Sequence, residues 1–418
     1  MRGFFFMTGR LLFLSLVLAL FNVQAFAQNG MVIQYPPNAN VAAIAEHAGG
    51  AVVDCMPEAN QCLLSVPATA HLSDSEVNWK EWNQGTALPS SPHSGFLHVA
   101  STEAADWYKT QPPLVLINLG NAMTFSTGRG VVVADINSQV DYSHPALIGH
   151  LTSGNDFVVG RPSGVAALND SSASYLDDSS ASYLDLVSIT YLNDSSASYL
   201  DDSSASYLDG RNPAYSHGTL TAGIIAAVAP DAMIMPLRAF DDNGSSNSFM
   251  IAKAIRYAVN HGAQVINMSF GSLTDCAVLR TAVRYALDRN VTLTASAGNN
   301  NSATPQYPAA YSGVITVAAT NLLDVKASFS NYGTGIEVDA PGVNIISAVP
   351  GNLYGIVNGT SFSAPIIAGT AALLRAEGVT GVAARIAGGT INIDAKNLSF
   401  IGQLGSGRID ILKSVNPQ

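Results

Sequence analysis

Beyond Leu114 the chain alternates between short, continuous apolar runs and longer stretches of helical period. Val131–Ile136, Met233–Phe240, Val265–Phe270, Val291–Ala297 and Val314–Ala319 read as strands, and the first is apolar apart from Asp135. Between them Ile251, Ala254, Ile255, Ala258 and Val259 fall on one helical face that stops at Gly262. Ala277–Leu287 reads as a helix behind the candidate cap Asp275. His217–Val228 and Ile366–Leu374 read as helices built of small residues, which pack closely. Apolar strands separated by helices imply a mainly parallel central sheet with helices on both faces, an α/β fold of three layers. Catalytic groups in such folds gather at the carboxyl ends of the strands.

The N-terminal part is patterned differently. Met31–Tyr35 reads as a strand, residues 40–47 as a short helix stopped at Gly49-Gly50, and Ala51–Met56 with Gln61–Val66 as a hairpin around residues 57–60. These elements make a small α+β module. The hairpin register sets Cys55 directly opposite Cys62, within disulfide reach, and leaves Cys276 unpaired in an apolar helix. A further short helix is expected over Ser75–Trp82. Ahead of the module, Arg2 and Arg10, the apolar run Leu11–Phe21 and the small residues Ala25-Phe26-Ala27 form a secretory leader, residues 1–27, too short in its apolar part to span a membrane comfortably. Export also makes the disulfide chemically sensible. A secreted protein, with no stable membrane insertion after the leader is removed, is the expectation.

With 418 residues, 48% hydrophobic and 12% charged, the chain has room for a large domain and a smaller one. A net charge of −11 argues against nucleic acid or an anionic membrane surface as partner. Much of that charge sits in an interruption at 162–209. DSSASYLD occupies 170–177 and recurs at 178–185, 194–201 and 202–209, with a diverged copy at 186–193 that keeps Tyr191-Leu192. The period of eight is shorter than that of stacked solenoid repeats. Eight aspartates and no Lys or Arg lie inside it. A solvated surface expansion, a hairpin stack and a calcium-binding segment are the three readings. Calcium has carboxylates there but no glycine-turned loop of recognised spacing. No other cofactor is implied.

Candidate chemistry centres on Gly359-Thr360-Ser361, at the start of the second small-residue helix. A serine there lies among unpaired backbone N–H groups, which stabilise a developing negative charge. Alone, such a tripeptide is an ordinary helix cap. Its company changes the reading. GTSFSAPIIAG (359–369) resembles the nucleophile block of the subtilisin-like serine peptidases, SHGTLTAG (216–223) the histidine block, and SAGN (296–299) the oxyanion block. They occur in that family's order, and the resemblance runs from about Leu114 to the C-terminus. It implies a subtilisin-like peptidase domain at 113–418, preceded at 28–112 by an inhibitory pro-region and linker. Ser361 is then the nucleophile, His217 the general base and Asn299 the oxyanion donor. Ser269, Phe270 and Gly271 correspond to the edge where an extended peptide substrate adds as a strand. Leu220 stands where the family has a second histidine.

The third triad member departs from the pattern. Gly128 to Leu147 resembles the family's aspartate block, yet the aspartate's place is taken by Asn137, and Gln139 replaces the glycine that follows. Asp135 lies two residues upstream on the same strand face. Either Asn137, or Asp135 shifted by a bulge, is expected to orient His217. The expected function is secreted serine endopeptidase, acting on proteins or peptides and inhibited by its own pro-region, slowed to the extent that Asn137 replaces the aspartate. The rival is a catalytically impaired fold serving as a secreted peptide-binding or adhesion module. An esterase is disfavoured because no G-x-S-x-G elbow surrounds Ser361.

Overall fold

The computed structural model describes residues 30–89, 93–98, 103–158, 161–163, 190–191, 214–241 and 243–417. The leader and almost all of the octad interruption lie outside these residues. Two compact units emerge. The first takes in the described residues up to Gly85 with Asn247–Phe249 and Cys276–Val278; the second takes in Thr86–Ser246, Met250–Asp275 and Leu279–Gln418.

In the first unit β1 (Met31–Gln34), α1 (Val41–His47), β2 (Ala51–Met56), β3 (Gln61–Ser65) and β4 (Trp79–Trp82) form an antiparallel sheet of order β2-β3-β1-β4 with one helix. Met31, Ile33, Ile44, Ala45, Leu64 and Val77 make its core. Asn40 caps α1 by accepting from the Ala43 N–H at 3.2 Å. Cys55 pairs with Cys62 in register and the two are joined by a disulfide. The helix expected at 75–82 is instead strand β4, paired along its length with β1. Residues 79–82 alternate half-buried and exposed, a period of two that an edge strand uses and a helix does not.

The second unit is α/β. It contains β5 (His93–His98), β6 (Val132–Asn137), β7 (Gly154–Asp156), β8 (Arg161–Ser163), α2 (Ala214–Val228), β9 (Met233–Arg238), all but the first two residues of α3 (Ser248–Asn260), β10 (Val265–Met268), all but the first two residues of α4 (Ala277–Leu287), β11 (Thr292–Ser296), β12 (Val314–Thr320), β13 (Val338–Pro341), β14 (Ile345–Val349), β15 (Leu353–Val357), α5 (Thr360–Ala376), β16 (Thr390–Ile391) and β17 (Arg408–Ile409). Ten described strands form one sheet of order β16-β17-β13-β12-β11-β10-β6-β9-β7-β8. All its pairs are parallel except the two at the edges. A second, antiparallel sheet holds β5, β15 and β14. The described residues between 86 and 112, the last part of the stretch 28–112 expected as pro-region and linker, group with this unit, and Tyr108 is buried in its core against Tyr354.

Helices α2 and α5 pack on each other inside that core. Gly369 makes the approach possible: a Cβ there would stand 2.7 Å from Val228 Cβ. Close passage of the two helices brings their N-terminal turns, with His217 on one and Ser361 on the other, to the same place. The His217 and Phe362 rings lie 5.6 Å apart.

Candidate active site

The site is assembled at the carboxyl ends of β6, β10 and β11, where a parallel sheet leaves strand termini open to loops and helix starts. Asn137 is the last residue of β6, Ser269 follows β10, and Asn299 follows β11 by three residues. His217 is 1% exposed, Asn137 1% and Ser361 0%, so the central groups sit in a medium where hydrogen bonds and charges act strongly.

Of the two candidates to orient His217, Asn137 makes the contact: His217 Nδ1 and Asn137 Oδ1 are 2.8 Å apart. An asparagine can present either oxygen or nitrogen, and only the oxygen leaves His217 Nε2 free of a proton. Two neighbours fix that choice. The Ser138 backbone N–H, which can only donate, points at Asn137 Oδ1 at 2.9 Å. Asn137 Nδ2 donates to Thr221 Oγ1 at 2.9 Å, and the Thr221 hydroxyl donates to Asp135 Oδ2 at 2.6 Å. Turning the amide over would set Nδ2 against the Ser138 N–H. Nδ1 therefore carries the proton and Nε2 presents its lone pair, the tautomer that acyl transfer needs.

Asp135 does not reach His217. It lies fully buried one layer behind, held by neutral donors: Thr221 at Oδ2 and, from the strand in register with it, Asn267 Nδ2 at Oδ1, 2.8 Å away. Burial pushes its carboxyl up to about 6 despite the hydrogen bonds from Asn267, Thr221 and Asn137, which act the other way. Sequence reasoning did not find Thr221 or Asn267. Thr221 is four residues beyond His217 and so on the same helical face, which is the signal available in the chain.

Ser361 is the second residue of α5, and its Oγ donates to the Ser269 carbonyl at 3.2 Å. Pro365 lies inside this helix. Lacking an N–H, it leaves the carbonyl four residues earlier, that of Ser361, without its helical donor. Ser269 Oγ fills the gap at 2.8 Å, and Asn267 Nδ2 in turn donates to Ser269 Oγ at 3.0 Å. The helix start carrying Ser361 is thus tied to Asp135 through Ser269 and Asn267.

Asn299 is oriented by Thr360, whose N–H and Oγ1 both donate to its Oδ1 at 2.9 Å. That leaves Nδ2 directed toward Gly359, 3.5 Å from where a Cβ on that glycine would stand. The turn before it requires glycine: Gly298 has φ +107°, and a Cβ would meet Asn331 Nδ2 and Gln306 Oε1 at 2.5 Å. Phe270 packs against Phe240 at 5.0 Å between ring centroids and is 1% exposed, so only its backbone is available to a ligand. Ser269 is likewise buried, and Gly271 abuts Gln306. Among the described residues no group of three or more His, Cys, Asp or Glu side chains is placed to hold a metal ion, and no helix is long and apolar enough to cross a membrane.

The family model of the subtilase family matches residues 128–385. Thermitase of Thermoactinomyces vulgaris is 32% identical over 310 residues, 72% of this chain and 93% of its own length. The thermophilic serine proteinase of Bacillus sp. (strain AK1) is 46% identical over 173 residues, 39% of this chain and 43% of its own length. Among solved structures, fervidolysin from Fervidobacterium pennivorans, described as a keratinolytic enzyme related to subtilisin, superimposes with a TM-score of 0.67 at 21% identity, covering 93% of this chain and 61% of that one.

Proposed function

The chain belongs to the subtilase family, and from that premise we propose that it is a serine endopeptidase that cleaves proteins or peptides through an acyl-enzyme on Ser361. One observation carries the reading: Asn137 Oδ1 faces His217 Nδ1 at 2.8 Å, with the amide held that way round by Ser138 and Thr221. In the proposed cycle the Ser361 hydroxyl swings from the Ser269 carbonyl to His217 Nε2 and loses its proton there as Oγ attacks the scissile carbonyl. Asn299 Nδ2 and the first-turn N–H groups of α5 hold the oxyanion. His217 then gives the proton to the leaving amine, and water repeats the sequence to release the acid. The backbone of residues 269–271 is the proposed edge for an extended substrate.

The proposal extends to export through residues 1–27 and to a pro-region in the first unit that acts on its own peptidase domain. The clustered carboxylates of the octads are the feature that supports calcium binding, the weaker of the readings of that stretch. The locked amide favours catalysis over the peptide-binding alternative, since a binding module has no use for one tautomer. The test is hydrolysis of a chromogenic peptide anilide and of casein by the wild type and Ser361→Ala. Cleavage by the first and none by the second is expected; equal rates would overturn the proposal.

A further inference from the structure

We propose, building on the peptidase reading above, that Asp135 is a positioning residue: it supplies, at the far end of a relay through Asn137 and Thr221, the negative charge that a protonated His217 requires. Acyl transfer turns the neutral imidazole into a cation, and a neutral amide beside it cannot offset that charge. An anion therefore has to act from farther away or not at all.

The geometry points one way along the relay. His217 Nδ1–H donates to Asn137 Oδ1 (2.8 Å), Asn137 Nδ2–H to Thr221 Oγ1 (2.9 Å), and Thr221 Oγ1–H to Asp135 Oδ2 (2.6 Å). Thr221 has a single hydroxyl proton and three acceptors within reach. The other two, the carbonyls of His217 and Gly218, are both at 3.1 Å, so the carboxylate at 2.6 Å takes it. Every donor faces toward Asp135, and each bond strengthens as the one before it polarises. No proton travels, because an amide cannot pass one on. Each proton stays on its own atom while the imidazolium charge is felt at the carboxylate.

The groups bearing on Asp135 are neutral. Asn267 comes from β10, Thr221 from α2 and Asn137 from its own strand, while Pro236 of β9 is its remaining partner in register. Donors at both oxygens favour the anion and burial opposes it; with the carboxyl pushed up to about 6, Asp135 is an anion above that pH. Its nearest titratable partner along the hydrogen bonds is His217. Full burial of Asp135, Asn137, Thr221 and Asn267 keeps solvent from screening the interaction.

Asp135→Asn is a usable probe. An amide at 135 can accept from Asn267 and donate to Thr221 Oγ1, whose proton then turns to the carbonyl of His217 or Gly218. The packing is kept and the charge and polarity are lost. Thr221→Val cuts the relay with the charge in place. Two readouts are needed: kcat and KM against pH on a peptide anilide, and the NMR titration of the His217 ring in a Ser361→Ala background.

Asp135→Asn and Thr221→Val should each lower kcat at least tenfold with KM within twofold. The acid limb and the ring titration should move down by about 1 unit, a tenfold change in proton affinity. Thr221→Ser, which keeps the hydroxyl, should restore most of what Thr221→Val loses. Unchanged acid limbs and ring midpoints in both variants would overturn the relay while leaving the peptidase reading intact. If the wild type cleaves nothing, the peptidase reading fails, and the ring titration alone decides: a shifted midpoint supports the relay and an identical one refutes it. Should Asp135→Asn not fold, Thr221→Val in the Ser361→Ala background carries the same comparison.

Discussion

Replacing Asn137 by Asp puts an anion where an amide now touches His217 at 2.8 Å. With an effective dielectric of about 20, a unit charge at that distance is worth roughly 6 kcal/mol to an imidazolium, against roughly 2 kcal/mol from a charge on the order of 10 Å away at the end of the relay. The difference, about 4 kcal/mol, sets a ceiling of roughly 10³ on the gain. The new carboxylate also lies within about 5.5 Å of Asp135 Oδ2 through the two Thr221 bonds of 2.9 and 2.6 Å. Two anions at that spacing repel by roughly 3 kcal/mol, about two pKa units, so Asp135, already pushed up to about 6, takes up a proton near neutrality. The variant then runs on one direct anion. An Asp→Asn change at the equivalent position of a chymotrypsin-type triad costs roughly 10⁴ in kcat, much of it through the wrong tautomer. Here the tautomer is already correct, and the expected gain for Asn137→Asp is smaller, about 10² in kcat/KM. The assay is peptide-anilide hydrolysis under identical conditions for both proteins, with active-site titration to normalise. A change of less than twofold, or a loss, would refute the electrostatic reasoning.

Two further outcomes follow from the buried network. Ser269→Ala leaves the Ser361 carbonyl without its donor and should cost about 1–3 kcal/mol in unfolding free energy, while Ser269→Ala with Pro365→Ala restores a helical N–H to that carbonyl and should recover half or more of the loss in a denaturant titration. The Asp135 carboxyl is raised from 3.8 to about 6 on folding. Between those values the folded protein holds a proton that the unfolded chain has released, so stability falls as pH rises through the window, by about 3 kcal/mol, and returns below it. The difference in Tm between wild type and Asp135→Asn, measured from pH 4 to pH 7, should follow that curve; a constant difference would exclude it.

Period and composition in the chain determined β6, β9, β10, β11, β12 and helices α2 to α5 of the second unit, because each is long enough, or apolar enough, to declare its own state; β5, β7, β8 and β13 to β17 were not read from it. Val265–Met268 and Val314–Thr320 are buried at every position, and α3 presents the face read from Ile251, Ala254 and Ile255. The hairpin joining Cys55 to Cys62 was equally local, since four loop residues fix its register. Strand β4 was misread because alternation over four residues is too short a signal to outweigh its polar composition. The blocks around His217, Asn299 and Ser361 made the family legible in the chain.

What the chain did not contain is which groups meet. Asp135 and Asn137 share a strand face and equal claim on His217 until α2 is placed; its position gives the histidine to Asn137 and interposes Thr221 before Asp135. The register of β10 on β6 sets Asn267 beside Asp135, and the gap left by Pro365 is filled by Ser269 from another strand. These partners are separated by tens to more than a hundred residues, and their bonds exist only once the helices have crossed and the strands have paired. Local pattern fixes what each segment is; long-range packing decides which side chain each polar atom finds.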